Sequence, residues 1–222
     1  MSVHPHKTAL RIGITGPPGA GKSTLIDKLV SVIRSKGLSV GIIAVDPSSS
    51  ITGGAVLGDR IRMQQHYSDK GVFIRSMATR GSWGGLSKAV PQTINLLEII
   101  GKDVILIETV GVGQTEIGIR ELADIVVVIF VPGYGDSIQL MKAGLVEIAD
   151  IIVVNKADCE GAENLASQIK AELRLSPRKV VPPIIMTQSE ANIGIDRLYE
   201  ELEKHWKAIK PSGDSHNYAI DK

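Results

Sequence analysis

The sequence is poor in cysteine and in aromatic residues, and it lacks a long apolar run. Cys159 is the only cysteine among 222 residues, and phenylalanine, tryptophan and tyrosine together make up 4%. A single cysteine cannot form an intramolecular disulfide, and the N-terminal residues lack the apolar stretch of a signal peptide. We therefore expect a reducing compartment, the cytoplasm. The longest apolar run, residues 125–131, is strand-length and too short to cross a membrane.

The sequence also lacks a bias toward charge of one sign. Lysine and arginine number 25 against 24 aspartates and glutamates, without a block of like charge. This balance argues against a nucleic acid or a membrane surface as the main partner, so any affinity for phosphate must be local. Hydrophobic residues make up 43% of the chain, which is enough for a buried core and excludes a disordered body.

Short apolar, β-branched runs alternate with amphipathic segments of helical length. This alternation is typical of parallel strands joined by crossover helices, and it predicts an α/β fold with a mostly parallel seven-stranded sheet and helices on both faces. The predicted strands are residues 10–15, 40–45, 72–76, 104–108, 125–131, 151–155 and 184–187. The predicted helices are residues 22–36, 86–100, 137–149, 162–173 and 193–207. Pro91 should kink the second helix or delay its start to about Lys88, because proline lacks an amide proton and clashes with the preceding turn.

The length favours a single domain, with a core of about residues 9–207. The two ends, residues 1–7 and 211–222, are predicted to be flexible tails. Residues 46–70 follow neither the strand period nor the helix period. We interpret this stretch as a long functional loop with a short helix near residues 61–67.

Residues 16–23, Gly-Pro-Pro-Gly-Ala-Gly-Lys-Ser, match the phosphate-loop pattern G-x-x-x-x-G-K-[ST] between a predicted strand and a predicted helix. Glycines allow such a loop to turn its amides toward phosphate oxygens, and the helix adds its positive end. Lys22 is predicted to reach the β- and γ-phosphates and Ser23 to bind Mg²⁺. The predicted phosphate-binding residues are Gly16, Pro17, Gly19, Ala20, Gly21, Lys22, Ser23 and Thr24, joined by Gly111 further along the chain.

A second motif, Asn155-Lys156-Ala157-Asp158, directly follows the apolar run 151–154. A carboxylate at Asp158 can accept two hydrogen bonds from guanine N1 and N2, which adenine cannot donate. Unpaired burial beside adenine would cost about 1–3 kcal/mol, so Asp158 should select GTP over ATP. Taken alone, the motif is equally consistent with a polar turn at a strand end. Its place after a phosphate loop favours base recognition, with Asn155 and Lys156 as further contacts.

A third motif, Glu108-Thr109-Val110-Gly111-Val112-Gly113-Gln114, ends the predicted strand 104–108. An acidic residue there can hold the metal through water, and a glycine amide can sense the γ-phosphate. GTPases of the Ras type place a catalytic glutamine directly after that glycine, whereas this chain has Val112. We therefore predict slow intrinsic hydrolysis that a partner accelerates.

Together with several shorter elements, these motifs resemble the MeaB/ArgK-type GTPases, chaperones of adenosylcobalamin-dependent mutases such as methylmalonyl-CoA mutase. The resemblance extends from Leu10 to about Leu202. The additional elements are Asp46-Pro47-Ser48-Ser49, Leu57-Gly58-Asp59-Arg60, Arg80-Gly81, Gly84-Gly85-Leu86 and Pro132-Gly133-Tyr134-Gly135-Asp136.

The resemblance implies a P-loop GTPase that cycles between GTP and GDP, uses Mg²⁺ and gates cofactor loading or protection of an acyl-CoA mutase. Asp46, Asp59 and Glu108 would surround the Mg²⁺ site with Ser23, and Lys22, Asp59 and Glu108 would serve catalysis. Gln114 and a segment from Asp136 to Gly144, including Lys142, would relay the nucleotide state to the partner. From the residues alone, Asp46 is expected to end a strand next to the phosphate-loop strand. Ser189 is assigned to the guanine site.

Two alternatives remain open. A nickel-delivery GTPase for hydrogenase or urease maturation shares this architecture, but one cysteine and scattered histidines offer no soft metal site. A transport-linked nucleotide-binding kinase would lack a hydrolysis cycle.

Family members that act as free-standing chaperones also carry helical extensions on both sides of the nucleotide domain. We expect a homodimer or a nucleotide-dependent dimer, although the dimerising extension does not appear in these 222 residues.

Overall fold

The computed structural model describes residues 9–46, 63–78, 89–109, 115–133, 144–175 and 180–209. Within them the strands are β1 (Leu10–Thr15), β2 (Val40–Asp46), β3 (Val72–Ala78), β4 (Val104–Glu108), β5 (Ile125–Phe130), β6 (Ile151–Val154) and β7 (Ile184–Met186). The helices are α1 (Lys22–Ser35), α2 (Ala89–Ile99), α3 (Thr115–Leu122), α4 (Leu145–Ile148), α5 (Ala162–Leu175) and α6 (Ile195–Ile209), with a short 3₁₀ helix at Gln64–His66.

The seven strands form one sheet in the order β3-β2-β4-β1-β5-β6-β7, and every neighbouring pair is parallel. This confirms the predicted α/β class. Strands β2, β3 and β4 lie on one side of β1, and strands β5, β6 and β7 lie on the other. The direction in which strands are added to the sheet therefore reverses at β1. Ligands of open parallel sheets bind at the carboxyl ends of the strands at such a reversal. The phosphate-loop sequence directly follows β1 at this point.

Successive strand residues point to opposite sides of the sheet. Both faces are buried along the central strands, whereas the edge strand β3 is exposed at Phe73 and Arg75. Ile42 packs in a cluster with Leu29 of α1 and Leu198 of α6, whereas its neighbour Ile43 packs in a second cluster with Leu97 of α2. The second cluster also takes up residues of α3, α4 and α5. Strands enclosed in this way need a nearly continuous apolar sequence, which explains why the sequence pattern located the central strands.

Several boundaries and one helix differ from the sequence prediction. Helix α2 is described from Ala89, and its predicted start near Lys88 lies outside the described residues. Helix α3 was not predicted; its eight residues include Gly118 and are too few to show a clear helical period. Of the predicted helix 137–149, residues 144–149 are described, and only Leu145–Ile148 is helical. The predicted tails lie outside the described residues.

The sheet order corrects the expected position of Asp46. Strand β2, which ends at Asp46, pairs with β3 and β4, and β4 lies between it and β1. Glu108 is therefore the acidic residue that ends the strand beside the phosphate-loop strand. No helix in the described ranges is long and apolar enough to cross a bilayer.

Candidate functional site

The phosphate-loop sequence spans the gap between the end of β1 and the start of α1. Gly16 has a φ of 147°, and a Cβ atom there would lie 2.3 Å from the carbonyl oxygen of Ile129. Gly21, with a φ of 82°, would bring a Cβ within 2.5 Å of Asn155 Nδ2. The loop thus passes so close to the ends of β5 and β6 that only glycine fits at these two positions.

Lys22 is the cation of this loop. Its side chain is 8% exposed, and Nζ donates hydrogen bonds to the carbonyl oxygens of Gly16 (2.8 Å) and Pro17 (2.9 Å). Lys22 also opens α1, and its N-cap residue, Gly21, forms no side-chain capping bond. The site therefore combines a fixed ammonium group with the positive end of a 14-residue helix, an arrangement suited to an anion.

Ser23, the last residue of the phosphate-loop sequence, forms a buried hydrogen bond with Glu108. Ser23 Oγ donates a 2.9 Å hydrogen bond to Glu108 Oε1, and the two residues are 5% and 6% exposed. A hydroxyl and a carboxylate are hard oxygen ligands of the kind that Mg²⁺ prefers. Among the described residues, no group of three or more histidine, cysteine, aspartate or glutamate side chains could hold a metal.

Sequence reasoning missed a second contact, which joins the end of β1 to the residue after β4. Thr109 Oγ1 donates a 2.9 Å hydrogen bond to Thr15 Oγ1, and both residues are buried. Thr15 and Ser23 flank the phosphate loop, so the neighbouring residues Glu108 and Thr109 hold both ends of it. No sequence signal marks this pair, because two threonines 94 positions apart show no spacing pattern.

Asn155 joins the phosphate loop to the loop after β7. Its Nδ2 donates to the Ala20 carbonyl (2.8 Å), and its Oδ1 accepts hydrogen bonds from Thr187 Oγ1 (3.0 Å), Ser189 Oγ (2.8 Å) and the Ser189 amide (3.2 Å). Asn155 is 2% exposed. The structure thus brings together the predicted residues Ala20, Asn155 and Ser189, with Thr187 as an addition.

A cleft of about 360 Å³ opens beside this bridge. The predicted residues Gly21, Thr24, Lys156 and Asp158 line it together with Asn155 and Ser189, and the other lining residues are Cys159, Gln188, Glu190 and Ala191. Lys156 has a φ of 56°, an unusual value for a residue with a side chain. The volume lies within the range of small-molecule sites.

The exposed side chain of Asp158 lies in this cleft together with Cys159. A cysteine that follows this motif is predicted to be a packing thiol, and for Cys159 that prediction is wrong, because the residue is exposed. The residue follows the turn after β6, and its amide donates back to the Lys156 carbonyl, which leaves the thiol at the surface.

Other predicted site residues lie outside the described part of the chain. These are Asp59, Gly111, Gln114, Asp136 and Lys142. For Asp46 only the backbone is described, paired with Ala78 at the end of β2 and β3. Their assignment to metal, phosphate or switch functions stays a prediction.

Solved structures share this architecture. A structure described as LAO/AO transport system kinase superposes with a TM-score of 0.67 at 29% identity, over 93% of this chain and 62% of the other. HypB from Helicobacter pylori, solved in complex with nickel, also gives a TM-score of 0.67, at 20% identity over 92% of this chain and 91% of HypB. The likeness to HypB concerns the fold alone.

Sequence comparison identifies the family. A putative GTPase from Pyrococcus horikoshii is 56% identical over 207 residues, covering 91% of this chain and 65% of the relative. The chain spans just under two-thirds of the length of the curated Pyrococcus relatives it matches, at 65% and 64%. The profile of the family described as methylmalonyl Co-A mutase-associated GTPase MeaB matches residues 3–222. The chain belongs to the MeaB family.

Proposed function

We propose that this chain is the nucleotide-binding domain of a Mg²⁺-dependent GTPase that acts as a chaperone of an adenosylcobalamin-dependent acyl-CoA mutase. The observation that carries the proposal is the position of Asn155. Its side chain forms hydrogen bonds with Ala20 of the phosphate loop and with Ser189 of the loop after β7, here called the cleft loop. A nucleotide with its phosphates against the phosphate loop and its base in the cleft beside the cleft loop would contact both sides of this bridge.

The phosphates would lie against residues 16–24. The ammonium group of Lys22 is held by two carbonyl oxygens of its own loop, so its direction is fixed before any ligand arrives. A preorganised cation stabilises the charge that spreads over the γ-phosphoryl oxygens during transfer, without the cost of reorienting solvent. Lys22 and the loop amides are thus the proposed catalytic groups, together with Glu108 and Asp59.

The base would enter the cleft lined by Asn155, Lys156, Asp158 and Ser189. The Asp158 carboxylate would accept hydrogen bonds from guanine N1 and N2. Adenine carries no donor at the matching positions, so the carboxylate would lose solvent without gaining a partner, at about 1–3 kcal/mol. This difference favours GTP and GDP over adenine nucleotides by about one to two orders of magnitude.

Magnesium fits the buried pair of Ser23 and Glu108, because both groups present oxygen and the sequence adds Asp46 and Asp59 as further acidic candidates. When bound, Mg²⁺ would neutralise the charge that develops on the β- and γ-phosphates. Glu108 would accept a hydrogen bond from Ser23 or from a metal-bound water.

Hydrolysis would be slow in the isolated chain. The residue after Gly111 is Val112, whose side chain can neither donate nor accept a hydrogen bond and so cannot orient a water molecule. We infer that a partner completes the site, with Gln114, Asp136 and Lys142 in the segments that respond to the nucleotide. Turnover of GTP by the isolated chain at about 1–10 per second, typical of ordinary enzymes, would contradict this part of the proposal.

Titration calorimetry of the purified chain with GTP, GDP and ATP, with and without Mg²⁺, tests the nucleotide site. We expect binding of both guanine nucleotides, weaker binding of ATP by at least about tenfold, and tighter GTP binding with Mg²⁺. Equal affinity for GTP and ATP would overturn the proposed base recognition.

The mutase partner is supported by the family description, methylmalonyl Co-A mutase-associated GTPase. HypB, with its bound nickel, favours the nickel-delivery alternative only through the fold, and the LAO/AO transport system kinase raises the transport alternative by its description. Capture of partners from the native host on the GTP-loaded chain separates the three, with a Lys22→Ala chain as the nucleotide-free control. Recovery of a cobalamin mutase with the wild type alone supports the proposal. Recovery of a hydrogenase or urease component, or of a transporter, would support an alternative.

Light scattering with GDP and GTP analogues tests the proposed dimer.

A further inference from the structure

The hydroxyl groups of Thr15 and Thr109 meet at the carboxyl end of the sheet. Thr15 is the last residue of β1 and directly precedes the phosphate loop, whereas Thr109 directly follows Glu108, the last residue of β4. The two threonines are 0% and 1% exposed, and their Oγ1 atoms are 2.9 Å apart. Burial of a hydroxyl group is costly unless it is hydrogen-bonded, so this contact stabilises both side chains where they lie.

The contact continues the pairing of β1 with β4 by one residue. Glu108 is the register partner of Ile14, and the amide of Thr109 donates a 3.1 Å hydrogen bond to the Ile14 carbonyl oxygen. Successive strand residues point to opposite faces, so the side chains of Glu108 and Thr109 leave the sheet on different sides. On its own side, Glu108 Oε1 accepts the 2.9 Å hydrogen bond from Ser23 Oγ. The backbone of Glu108 is thus fixed by strand pairing before it and by Thr109 after it.

The short length of this contact depends on the two hydroxyl groups. Their oxygen atoms are 2.9 Å apart, whereas non-bonded carbon atoms settle at about 3.5–4.0 Å. Two valines would fill nearly the same space, but they would hold the chain after Glu108 up to about 1 Å farther from β1. Mg²⁺ is sensitive to such a shift, because it demands near-ideal octahedral geometry with ligands at about 2.0–2.1 Å. The threonine pair therefore supplies a short, directed contact that apolar side chains cannot replace.

We propose that Thr15 and Thr109 are positioning residues that hold the Glu108 carboxylate beside Ser23 and thereby set the Mg²⁺ affinity of the nucleotide complex. The inference rests on the proposed function, and specifically on Ser23 and Glu108 as part of the Mg²⁺ site. Thr109 would act through Glu108, because its side chain points to the opposite face of the sheet. Removal of groups that orient metal ligands typically lowers metal affinity by about 10–100-fold.

Three variants separate positioning from packing. Thr109→Val leaves the buried Thr15 hydroxyl without its partner, so it should lower both thermal stability and Mg²⁺ affinity. Thr109→Ser retains the hydroxyl group and should bind Mg²⁺ like the wild type. The double variant Thr15→Val/Thr109→Val replaces a polar pair by an apolar pair, an exchange that is often nearly neutral for stability. It should therefore unfold near the wild-type temperature and still show the weakened Mg²⁺ response, which also decides the question if Thr109→Val does not fold.

The measurement is the affinity for a non-hydrolysable GTP analogue, determined by titration calorimetry in EDTA and over a series of Mg²⁺ concentrations. Thr109→Val and the double variant should raise the Mg²⁺ concentration that gives half of the maximal effect about tenfold, with metal-free affinity unchanged. Thermal denaturation of the same chains gives their stability. Thr93→Val is the matched control, because the Thr93 hydroxyl donates a 2.9 Å hydrogen bond to the Ala89 carbonyl within α2 rather than between β1 and β4. Its Mg²⁺ response should equal that of the wild type.

Ser23→Ala separates this inference from the proposed function. The change removes a proposed metal ligand and should abolish the effect of Mg²⁺. A Ser23→Ala chain that responds to Mg²⁺ like the wild type would contradict the proposed metal site, and this inference with it. If Ser23→Ala loses the response, two results would overturn the inference alone. One is a wild-type Mg²⁺ response in the double variant, which would show that the threonine pair serves stability only. The other is an increase of the same size in Thr93→Val, which would show a general loss of rigidity.

Discussion

Asn155 and Ala20 lie 135 residues apart in the sequence, yet Asn155 Nδ2 donates a 2.8 Å hydrogen bond to the Ala20 carbonyl oxygen. The opposite end of the same amide accepts hydrogen bonds from Thr187 and Ser189. One buried side chain therefore sets the spacing between the phosphate loop and the cleft loop. For a ligand that contacts both loops, the distance between the phosphate loop and the cleft loop is therefore fixed before binding.

Replacement of Asn155 by alanine is expected to destabilise the chain and to weaken nucleotide binding. The substitution leaves the Ala20 carbonyl and the Thr187 and Ser189 hydroxyls without their partner. Loss of partners for buried polar groups costs about 1–3 kcal/mol each, and partial rearrangement should leave a net loss of about 3 kcal/mol. Urea denaturation measures the free energy of unfolding, and calorimetry measures GTP affinity.

Asn164→Ala is the matched control, because Asn164 is exposed on α5. This change should alter the free energy of unfolding by less than about 0.5 kcal/mol. If Asn155→Ala were as stable as Asn164→Ala and bound GTP equally well, the bridge would have no energetic importance.

Gly16→Ala should destabilise the chain more than Gly37→Ala. Both glycines have positive φ values, 147° and 77°, so alanine is strained at either position. Only at Gly16 would the added Cβ collide with a backbone atom, the Ile129 carbonyl oxygen at 2.3 Å. No atom lies within 4 Å of such a Cβ at Gly37. We expect about 1 kcal/mol for Gly37→Ala and at least about 3 kcal/mol for Gly16→Ala, measured by thermal and urea denaturation. Equal losses would show that the close approach of loop and strand is relieved without cost.

Lys22→Ala should weaken GTP binding by about a hundredfold, since charge-assisted hydrogen bonds to phosphate each contribute about 1.5–3 kcal/mol. Calorimetry with GTP and Mg²⁺ measures the effect. The control is Lys170→Ala, which removes an exposed lysine of α5. Unchanged GTP affinity in Lys22→Ala would contradict the assignment of residues 16–23 as the phosphate site.

The ion pair of Asp69 with Arg34 should make stability depend on pH in the acid range. Hydrogen bonds from the Arg34 guanidinium and then from the Gly71 amide lower the pKa of Asp69. A carboxylate with a lowered pKa stabilises the fold fully above its unfolded-state pKa of about 4, and the contribution disappears as the pH falls through the folded-state pKa.

The urea midpoint of Asp69→Asn should therefore lie below that of the wild type at neutral pH, and the gap should close on acidification below about pH 4. Urea denaturation of both chains from neutral to acid pH gives the gap at each pH. A gap that stays constant throughout this range would show that ionisation of Asp69 does not contribute.

The sequence predicted the fold well because buried parallel strands are apolar along most of their length. Residues 10–15 and 104–108 were assigned as strands with the boundaries that β1 and β4 have in the structure. Helix α3 was missed, since its contact with the sheet depends on the gap above Gly13 on β1. A Cβ at Gly13 would lie 2.6 Å from Ile119 Cγ1, and such a fit between a small residue and a distant large one leaves no local pattern.

The site was partly predictable for a related reason. The motifs around Lys22, Glu108 and Asp158 are local in sequence, and the carboxyl ends of parallel strands share one edge of a sheet. The order of the strands in the sheet was harder to predict from the sequence. For this reason the strand that ends at Asp46 was expected beside β1, whereas β4 lies there.

Asp158→Asn tests most directly the claim that this chain recognises guanine. An asparagine amide donates where the carboxylate accepts, so it suits the additional carbonyl of xanthine and loses the bond to the guanine amino group. Calorimetry with GTP and XTP, in the presence of Mg²⁺, should show that the wild type prefers GTP and that Asp158→Asn prefers XTP. A variant that still favours GTP over XTP as strongly as the wild type would contradict the account.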